Sequence, residues 1–280
     1  MREVHVSKIT ETIKKLCMDA NYYLGEDIKN KFYEFKEKET SKLGKEILDI
    51  LINNSEIAEK EQMPMCQDTG MTVVFMEIGQ DVHIVGGNVE DAINEGVRQG
   101  YIEGYLRKSV VKDPLDRVNT KDNTPAIIHY NIVPGDKIKI TVAPKGFGSE
   151  NMSRLKMLKP ADGVEGVKRF VLETVKEAGP NPCPPIVVGI GIGGTFEKAA
   201  FLAKKALLRS IDEENKNPYY AKLERELLDA INRLGIGPQG FGGLTTCLGV
   251  NIEVYATHIA GLPVAVNINC HATRHKEAII

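Results

Sequence analysis

The sequence predicts a mixed α/β (α+β) fold, an N-terminal helical scaffold followed by strands and helices in mixed order. Two observations predict it. Apolar residues recur at helical spacing up to about residue 60, whereas from Met71 onward short β-rich runs bounded by Gly, Pro and Asn alternate with amphipathic segments. No regular succession of strand–helix–strand units accompanies them, which removes the usual signature of an all-parallel sheet. The 280 residues are read as a single domain, 1–280, with room for two lobes.

A hydrophobic share of 42% and a formal net charge of −2 describe an ordinary globular chain able to bury a sizeable core. Acidic and basic residues are interspersed, so no basic face singles out nucleic acid or an anionic membrane as a partner. No apolar run reaches the length of a membrane span, and residues 1–6 lack the apolar core of a signal peptide. A cytoplasmic protein is expected. Five cysteines, an odd number, argue for reduced thiols or metal ligands over a disulfide framework.

Ile9, Ile13, Leu16, Cys17, Ala20 and Tyr23 keep helical spacing over residues 7–24, with Cys17 on the apolar face as a small buried hydrophobe. Residues 29–42 alternate charges around Phe32, Tyr33 and Phe35 and read as a solvated helix or helix pair. Ile47, Leu48, Leu51 and Ile52 continue a helix expected to stop near Asn53-Asn54-Ser55, residues that favour turns and caps. A polar approach through Pro64 then brings Cys66-Gln67-Asp68-Thr69-Gly70 onto a loop entering a strand at 71–78. A thiol, an amide and a carboxylate in consecutive residues, followed by a glycine that lets the backbone approach a ligand, suit a metal centre with a proton-handling group beside it. A strand-entry turn in which Asp68 and Thr69 satisfy local amides accounts for the same residues.

A second strand is expected at 82–85, with His83 on its surface. Asn88 caps a helix carrying Val89, Ala92, Ile93 and Val97 and running through Tyr101 and Tyr105 to Arg107-Lys108-Ser109. At a helix end Arg107 faces the negative end of the dipole, although a guanidinium in a cleft is also the best clamp for a carboxylate; sequence by itself favours the first role. Residues 113–125 form a polar loop. Strands at 126–133 and 137–142 join through Pro134-Gly135-Asp136 as a hairpin. Lys145-Gly146-Phe147-Gly148-Ser149 follows as a glycine-rich loop that either presents N–H groups to an anion or simply turns the chain.

Pro160, then Val164, Val167, Val171 and Val175, with Gly179-Pro180 as the stop, define the next helix. Asn181-Pro182-Cys183-Pro184-Pro185 holds a second cysteine on a rigid, non-helical turn, where burial as a core thiol is not expected. The strand at 185–190 runs into Gly191-Ile192-Gly193-Gly194-Thr195 and a helix at 196–209. The spacing is not G-x-G-x-x-G, so a small carboxylate ligand or plain tight packing replaces a dinucleotide as the reason for these glycines. Leu223, Leu227, Leu228, Ile231 and Leu234 line a helix at 219–234, and the glycine-rich stretch 235–243 leads to a strand in which Cys247 is structural. A last strand at 263–268 delivers Asn269-Cys270-His271-Ala272-Thr273-Arg274-His275.

Cys66, Cys183 and Cys270 thus share a setting, each at the boundary of a strand or helix in a loop of Pro, Gly or polar residues, whereas Cys17 and Cys247 do not. Their separations match no local zinc or ferredoxin clip, so spacing does not reveal the metal. Three thiolates suit an iron–sulfur cluster with one iron lacking a protein ligand; with His271 or His275 as a fourth ligand they also suit a structural zinc site.

Taken together, Cys66-Gln67-Asp68-Thr69-Gly70, Leu106-Arg107-x-Ser109, Asn119-Thr120-x-Asp122-Asn123-Thr124-Pro125, Lys145-Gly146-Phe147-Gly148-Ser149, Cys183-Pro184-Pro185, Leu234-Gly235-Ile236-Gly237-Pro238-Gln239 and Cys270-x-Ala272-x-Arg274 resemble class I fumarate hydratase, the iron–sulfur type. The motifs stand in the family's order and span residues 66 to 274. The resemblance implies a hydro-lyase that hydrates fumarate to malate reversibly, with the elements arranged around a cluster-binding cleft. It implies a 4Fe-4S cluster on Cys66, Cys183 and Cys270 whose fourth iron is open to substrate. Gln67, Asp68, Arg107 and Gly148 are then the contacts to the dicarboxylate, and Asp68 is the candidate for handling the proton. Single-chain members of the family continue beyond the third cysteine, so this chain resembles the α subunit of the two-subunit form, with a separate β subunit supplying the rest of the substrate clamp and a dimer of αβ pairs as the assembly. Tartrate dehydratase, within the same family, shares the cysteine framework; the loops around Lys145 and Cys270 favour fumarate. Two other classes use the same cysteines, a non-catalytic iron–sulfur electron carrier and a zinc-stabilised interaction module, but neither explains Gln67 and Asp68 directly beside a cysteine.

Overall fold

The computed structural model describes residues 1–280. A short strand β1 (Arg2–His5) precedes three helices, α1 (Val6–Tyr22), α2 (Glu26–Lys38) and α3 (Lys42–Glu61). Strands β2 (Met71–Gly79) and β3 (Val82–Val85) lead to helix α4 (Val89–Glu103). Strands β4 (Ile127–Val133) and β5 (Ile138–Lys145) are followed by the single turn α5 (Phe147–Glu150), strand β6 (Arg154–Leu158) and helix α6 (Gly163–Ala178). Strand β7 (Ile186–Gly193), helices α7 (Phe196–Ala206) and α8 (Pro218–Asn232), and strands β8 (Cys247–Tyr255), β9 (Leu262–Asn269) and β10 (Lys276–Ile279) complete the chain. The mixed α/β class is as the sequence predicts. No helix is long and apolar enough to cross a membrane.

The chain divides into two compact units, one of Met1–Leu24, Asn54–Phe147 and Arg274–Ile280, the other of Gly25–Asn53 and Gly148–Thr273. In the first unit the sheet order is β10-β5-β2-β4, with β1 and β3 paired separately in parallel. Val74 and Met76 of β2 and Ile138, Ile140 and Val142 of β5 form one core with Ile9, Ile13 and Cys17 of α1 and Ile93, Val97 and Tyr101 of α4. Each such side chain, fully buried, contributes about 1.5–3 kcal/mol relative to exposure.

Three sequence expectations are corrected. β4 and β5 do not form a hairpin, because β2 lies between them, parallel to β4 and antiparallel to β5. The Pro134-Gly135-Asp136 turn instead passes over the end of β2, where Gly79 N donates to Lys137 O at 2.8 Å and Gln80 N to Val133 O at 2.8 Å. Val73, Val74, Phe75 and Met76 are all buried, so the strand that is apolar on both sides takes the interior position and the more exposed β4 takes the edge. Helix α3 runs through Asn53-Asn54-Ser55 without stopping, since Ser55 and Ala58 are buried and Asn54 Nδ2 donates to Met65 O at 2.8 Å. Helix α4, capped by Asn88 as expected, ends at Glu103, so Arg107 lies beyond it and does not serve its dipole.

In the second unit the sheet order is β6-β9-β7-β8, with β7 parallel to β8 and antiparallel to β9. Helices α6 and α8 cover one face through Phe170, Val171, Leu227 and Ile231 against Ile186, Val188 and Ile190, and α7 covers the other through Ala199 and Ala203. A Cβ on Gly189 would lie 2.2 Å from Ala203 O and one on Gly191 2.1 Å from Ala199 O. Tight packing of α7 therefore accounts for those glycines, with no ligand required.

Glu39, just after α2, is buried, and its carboxylate accepts backbone N–H groups from Thr40, Ser41, Leu244 and Thr245 at 2.7–3.0 Å. Burial alone raises a carboxyl pKa, but the donors at Ser41, Leu244 and Thr245 outweigh it and hold Glu39 below its ordinary value. A pKa lower folded than unfolded means stability that is present above the unfolded value and lost as pH falls through the folded one. Replacing Glu39 with Gln is expected to cost roughly 1–3 kcal/mol at pH 7, by stranding buried donors, and to cost less in acid. Urea unfolding of both proteins at pH 7 and pH 4 measures it; a gap that does not narrow at pH 4 contradicts this account.

Candidate functional site

The Cys66–Gly70 loop belongs to the first unit and is tied down on every side. Met65 N donates to Asn21 O at 3.1 Å, fixing the approach. Gly70 has φ 77, and a Cβ there would lie 2.7 Å from Lys145 N, so only glycine lets the loop meet the end of β5. The inward carbonyls of Thr69 and Gly70 both accept from the Tyr101 hydroxyl, at 2.7 and 3.1 Å. Burial raises the Tyr101 pKa and keeps that hydroxyl a donor. Asn123, fully buried with φ 65, donates from Nδ2 to Gly70 O at 3.1 Å and accepts from Ser109 N at 2.7 Å. It thereby joins the Asp68 loop to the segment that carries Arg107.

Asp68 emerges half-buried from this frame. Its Oδ1 accepts from Gly70 N at 3.0 Å and its Oδ2 from Phe147 N at 2.9 Å, while Arg274 Nη2 donates to its main-chain oxygen. The local turn that satisfies amides is therefore real, and it aims the carboxylate as well. Thr69 Oγ1 donates to Arg107 O at 3.1 Å, and the Arg107 side chain is exposed. Gln67 is exposed and its Oε1 lies 3.5 Å from Cys66 Sγ. Cys66, Gln67, Asp68 and Arg107 thus share one hydrogen-bonded patch of the first unit.

Cys183, Cys270 and Gly148 fall in the second unit. Cys183 is exposed at φ 55 in a turn closed by its N–H on Pro180 O at 2.9 Å. Gln239 braces that turn, donating to Pro184 O from its backbone N and its Nε2, each at 2.7 Å. His271 N donates to Cys183 O at 3.3 Å, which joins the Cys183 turn to the loop of half-exposed Cys270. His271 Nδ1 stands 3.2 Å from both Cys183 O and Gln239 Nε2, so its tautomer selects donation to the first or acceptance from the second. Gly148 is exposed, with only Asn181 O, at 3.6 Å, near the place of a Cβ.

None of the five cysteines is in a disulfide. Burial pushes the Cys17 and Cys247 thiols up to about 12, which removes both as thiolate ligands. The other three, Cys66 and Cys270 partly exposed and Cys183 exposed, lie on braced loops, and by donor chemistry they fit an iron–sulfur cluster. No group of three or more His, Cys, Asp and Glu side chains is converged as a ligand set for a metal ion. The fit rests on the accessible thiols alone.

The residues that sequence reasoning left without a role are Tyr101, Asn123, Gln239 and Arg274. Asn123, Gln239 and Arg274 lie inside quoted motifs, whereas Tyr101 is hidden in the apolar face of α4.

A family model described as fumarate hydratase (fumerase) matches residues 10–279. The chain belongs to the fumarate hydratase family. The putative L(+)-tartrate dehydratase subunit alpha of Methanocaldococcus jannaschii is 49% identical to it over 273 residues, covering 95% of each chain. The L(+)-tartrate dehydratase subunit alpha of Escherichia coli O157:H7 is 36% identical over 279 residues, covering 98% of this chain and 91% of the relative. That of Escherichia coli K12 is 35% identical over 279 residues, with the same coverage. The fumarate hydratase family member described here is accordingly a hydro-lyase, as the motif resemblance implies.

Replacing Asn123 with Ala strands Ser109 N, leaves Gly70 O with the Tyr101 hydroxyl as its remaining side-chain donor, and forces a Cβ residue without a polar tip into the left-handed region. A loss of roughly 1–3 kcal/mol in unfolding free energy is expected from one buried and one part-buried bond and the backbone strain. Denaturant titration reads it, and a loss below about 0.5 kcal/mol, the usual range for a surface change, contradicts the bracing role.

Proposed function

We propose that this chain is the α subunit of a two-chain hydro-lyase that removes water from a 2-hydroxy dicarboxylate, with L(+)-tartrate as the substrate. The names of the relatives support tartrate over the fumarate expected from the loops around Lys145 and Cys270. Hydration of fumarate to malate is the second reading, favoured by the family description.

The observation that carries the proposal is the Asp68 carboxylate. Each of its oxygens accepts one backbone N–H, which fixes its plane and leaves lone pairs to take a proton from the substrate carbon. Arg107, exposed and anchored through its carbonyl, offers a guanidinium fork to one substrate carboxylate. Gln67 adds an amide and Gly148 an open backbone approach. Cys66, Cys183 and Cys270 would hold the 4Fe-4S cluster, which when bound supplies Lewis acidity toward the departing hydroxyl. Loss of the proton and of hydroxide from adjacent carbons leaves a carbon–carbon double bond.

The subunit names of the relatives support a separate partner subunit. The remaining substrate clamp and a further domain would reside on that β subunit, with a dimer of αβ pairs as the proposed assembly. The chain itself is the single catalytic, cluster-binding domain of this scheme. Reduced, accessible thiols fit a cytoplasmic setting.

The test is anaerobic purification with iron analysis and an absorption spectrum, followed by assays on L(+)-tartrate, malate and fumarate with and without the partner. Turnover of tartrate by the iron-containing complex, and none by the α chain alone, is the expected result. Replacing Asp68 with Asn is expected to lower kcat by about 10²–10⁴-fold at unchanged iron content. Near-normal turnover in that variant removes Asp68 from the reaction, and a complex inert to all three acids sinks the assignment.

A further inference from the structure

Arg274 follows the third cysteine loop, and neither the proposed substrate clamp nor the proposed cluster ligands give it a task. It is 4% exposed. Its Nη2 donates to the main-chain oxygen of Asp68, while Nε and Nη1 are buried without any partner. A guanidinium is always charged, and leaving two of its nitrogens unsatisfied in the interior is unfavourable, so packing alone does not explain the residue. A leucine or methionine would fill the same space without that cost.

The topology shows how the residue reaches this place. β10 pairs antiparallel with β5, Lys276 opposite Val142, and the pairing is locked at its far end by reciprocal bonds of 2.9 Å between Ile138 and Ile280. β5 in turn pairs antiparallel with β2, Lys145 opposite Met71. The start of β10, the end of β5 and the start of β2 therefore meet at one end of the strands, the end from which the Asp68 loop springs. Arg274, two residues before β10, is carried there by register. Gly146 lies beside both groups, its Cβ position 3.4 Å from Asp68 Oδ2 and 3.9 Å from Arg274 Nη2.

We propose that Arg274 is a positioning residue for Asp68: the short C-terminal strand fixes its guanidinium behind the loop, where it holds the Asp68 main chain so that the carboxylate keeps the orientation set by Gly70 N and Phe147 N. The planar fork makes the hold directional, which a flexible ammonium does less well. The proposal rests on the assignment of Asp68 as the group that handles the proton. Its geometric part, the seating of the loop, stands apart from that assignment.

Two readouts separate the parts. In the αβ complex, kcat and KM are measured for whichever dicarboxylate the wild type turns over. In the full α chain, stripped of metal and kept reduced, the rate of alkylation of each cysteine by iodoacetamide is read by mass spectrometry. Arg274→Ala is expected to lower kcat about 100-fold, the cost of roughly an ångström of misplacement, with KM within about threefold. It is also expected to speed alkylation of Cys66 about tenfold by loosening the loop, with Cys183 unchanged. Arg274→Lys, which retains one donor, is expected to recover most of the Cys66 protection and part of kcat; where the alanine variant does not fold, the lysine variant and its intermediate values decide. An unchanged Cys66 rate in Arg274→Ala overturns the proposal whatever happens to kcat. A wild type inert to every dicarboxylate overturns the function of Asp68 and leaves the alkylation result to decide the role of Arg274.

Discussion

The first unit depends on the approach of the Gly70 backbone to that of Lys145. A side chain at Gly70 would stand 2.7 Å from Lys145 N, and its φ of 77 belongs to glycine. Because Met71 pairs with Lys145 in the next step of the ladder, this contact sets the register of β2, the strand on which the unit's core is built. It also turns the Thr69 and Gly70 carbonyls inward, where burial requires that they be paired. Tyr101 and Asn123 pair them, and the loop that presents Cys66 and Asp68 becomes an extension of the sheet.

The second unit solves the corresponding problem differently. Its Cys183 turn leads into β7, but the carbonyls of Cys183 and Pro184 sit in irregular backbone that cannot pair with itself. Gln239 and His271 supply the missing donors from distant points in the sequence. The same accounting separates the cysteines. Cys17 and Cys247 lie in regular elements inside the two cores, where burial keeps them as thiols, while the remaining three sit where irregular backbone leaves sulfur within reach of solvent.

Much of this was legible in the sequence. Helical spacing located α1, α4, α6 and α8, Asn88 announced its own cap, and the accessible loop placement of Cys66, Cys183 and Cys270 followed from the Pro, Gly and polar residues around them. What escaped had in each case a non-local cause. The Pro134-Gly135-Asp136 turn is correct hairpin chemistry, but it says nothing about a third strand lying between its arms. Asn53-Asn54-Ser55 has cap-forming side chains, yet tertiary burial of Ser55 and the use of Asn54 on Met65 carry the helix through them. β1 and β10, four residues each, are too short to show alternation and exist because a neighbouring strand offers them a ladder. From sequence alone the helix runs on to Arg107, because the periodicity of Tyr101 and Tyr105 outweighs the stop signal of Gly104, which is the C-cap in the structure.

The motifs that place the chain in its family hold as much scaffold as chemistry. Asn123, Gln239 and Arg274 occur in three of them, and in the structure each bonds to the main chain of another loop: Gly70 and Ser109 for Asn123, Pro184 for Gln239, Asp68 for Arg274. Such residues specify where a carboxylate, a guanidinium and the thiols stand, not which groups the substrate bears between its two carboxylates. Under the proposed roles, a frame that aims Asp68 at a carbon-bound proton and Arg107 at a carboxylate would serve malate and tartrate alike, since the two differ by one hydroxyl, on the carbon that gives up that proton. Choice between them requires a donor or acceptor dedicated to that second hydroxyl, because a polar site rejects an analogue mainly by leaving its own groups unpaired. None of the side chains described here is committed to that task, which is why motifs this specific for the family leave its substrate to be decided by other contacts.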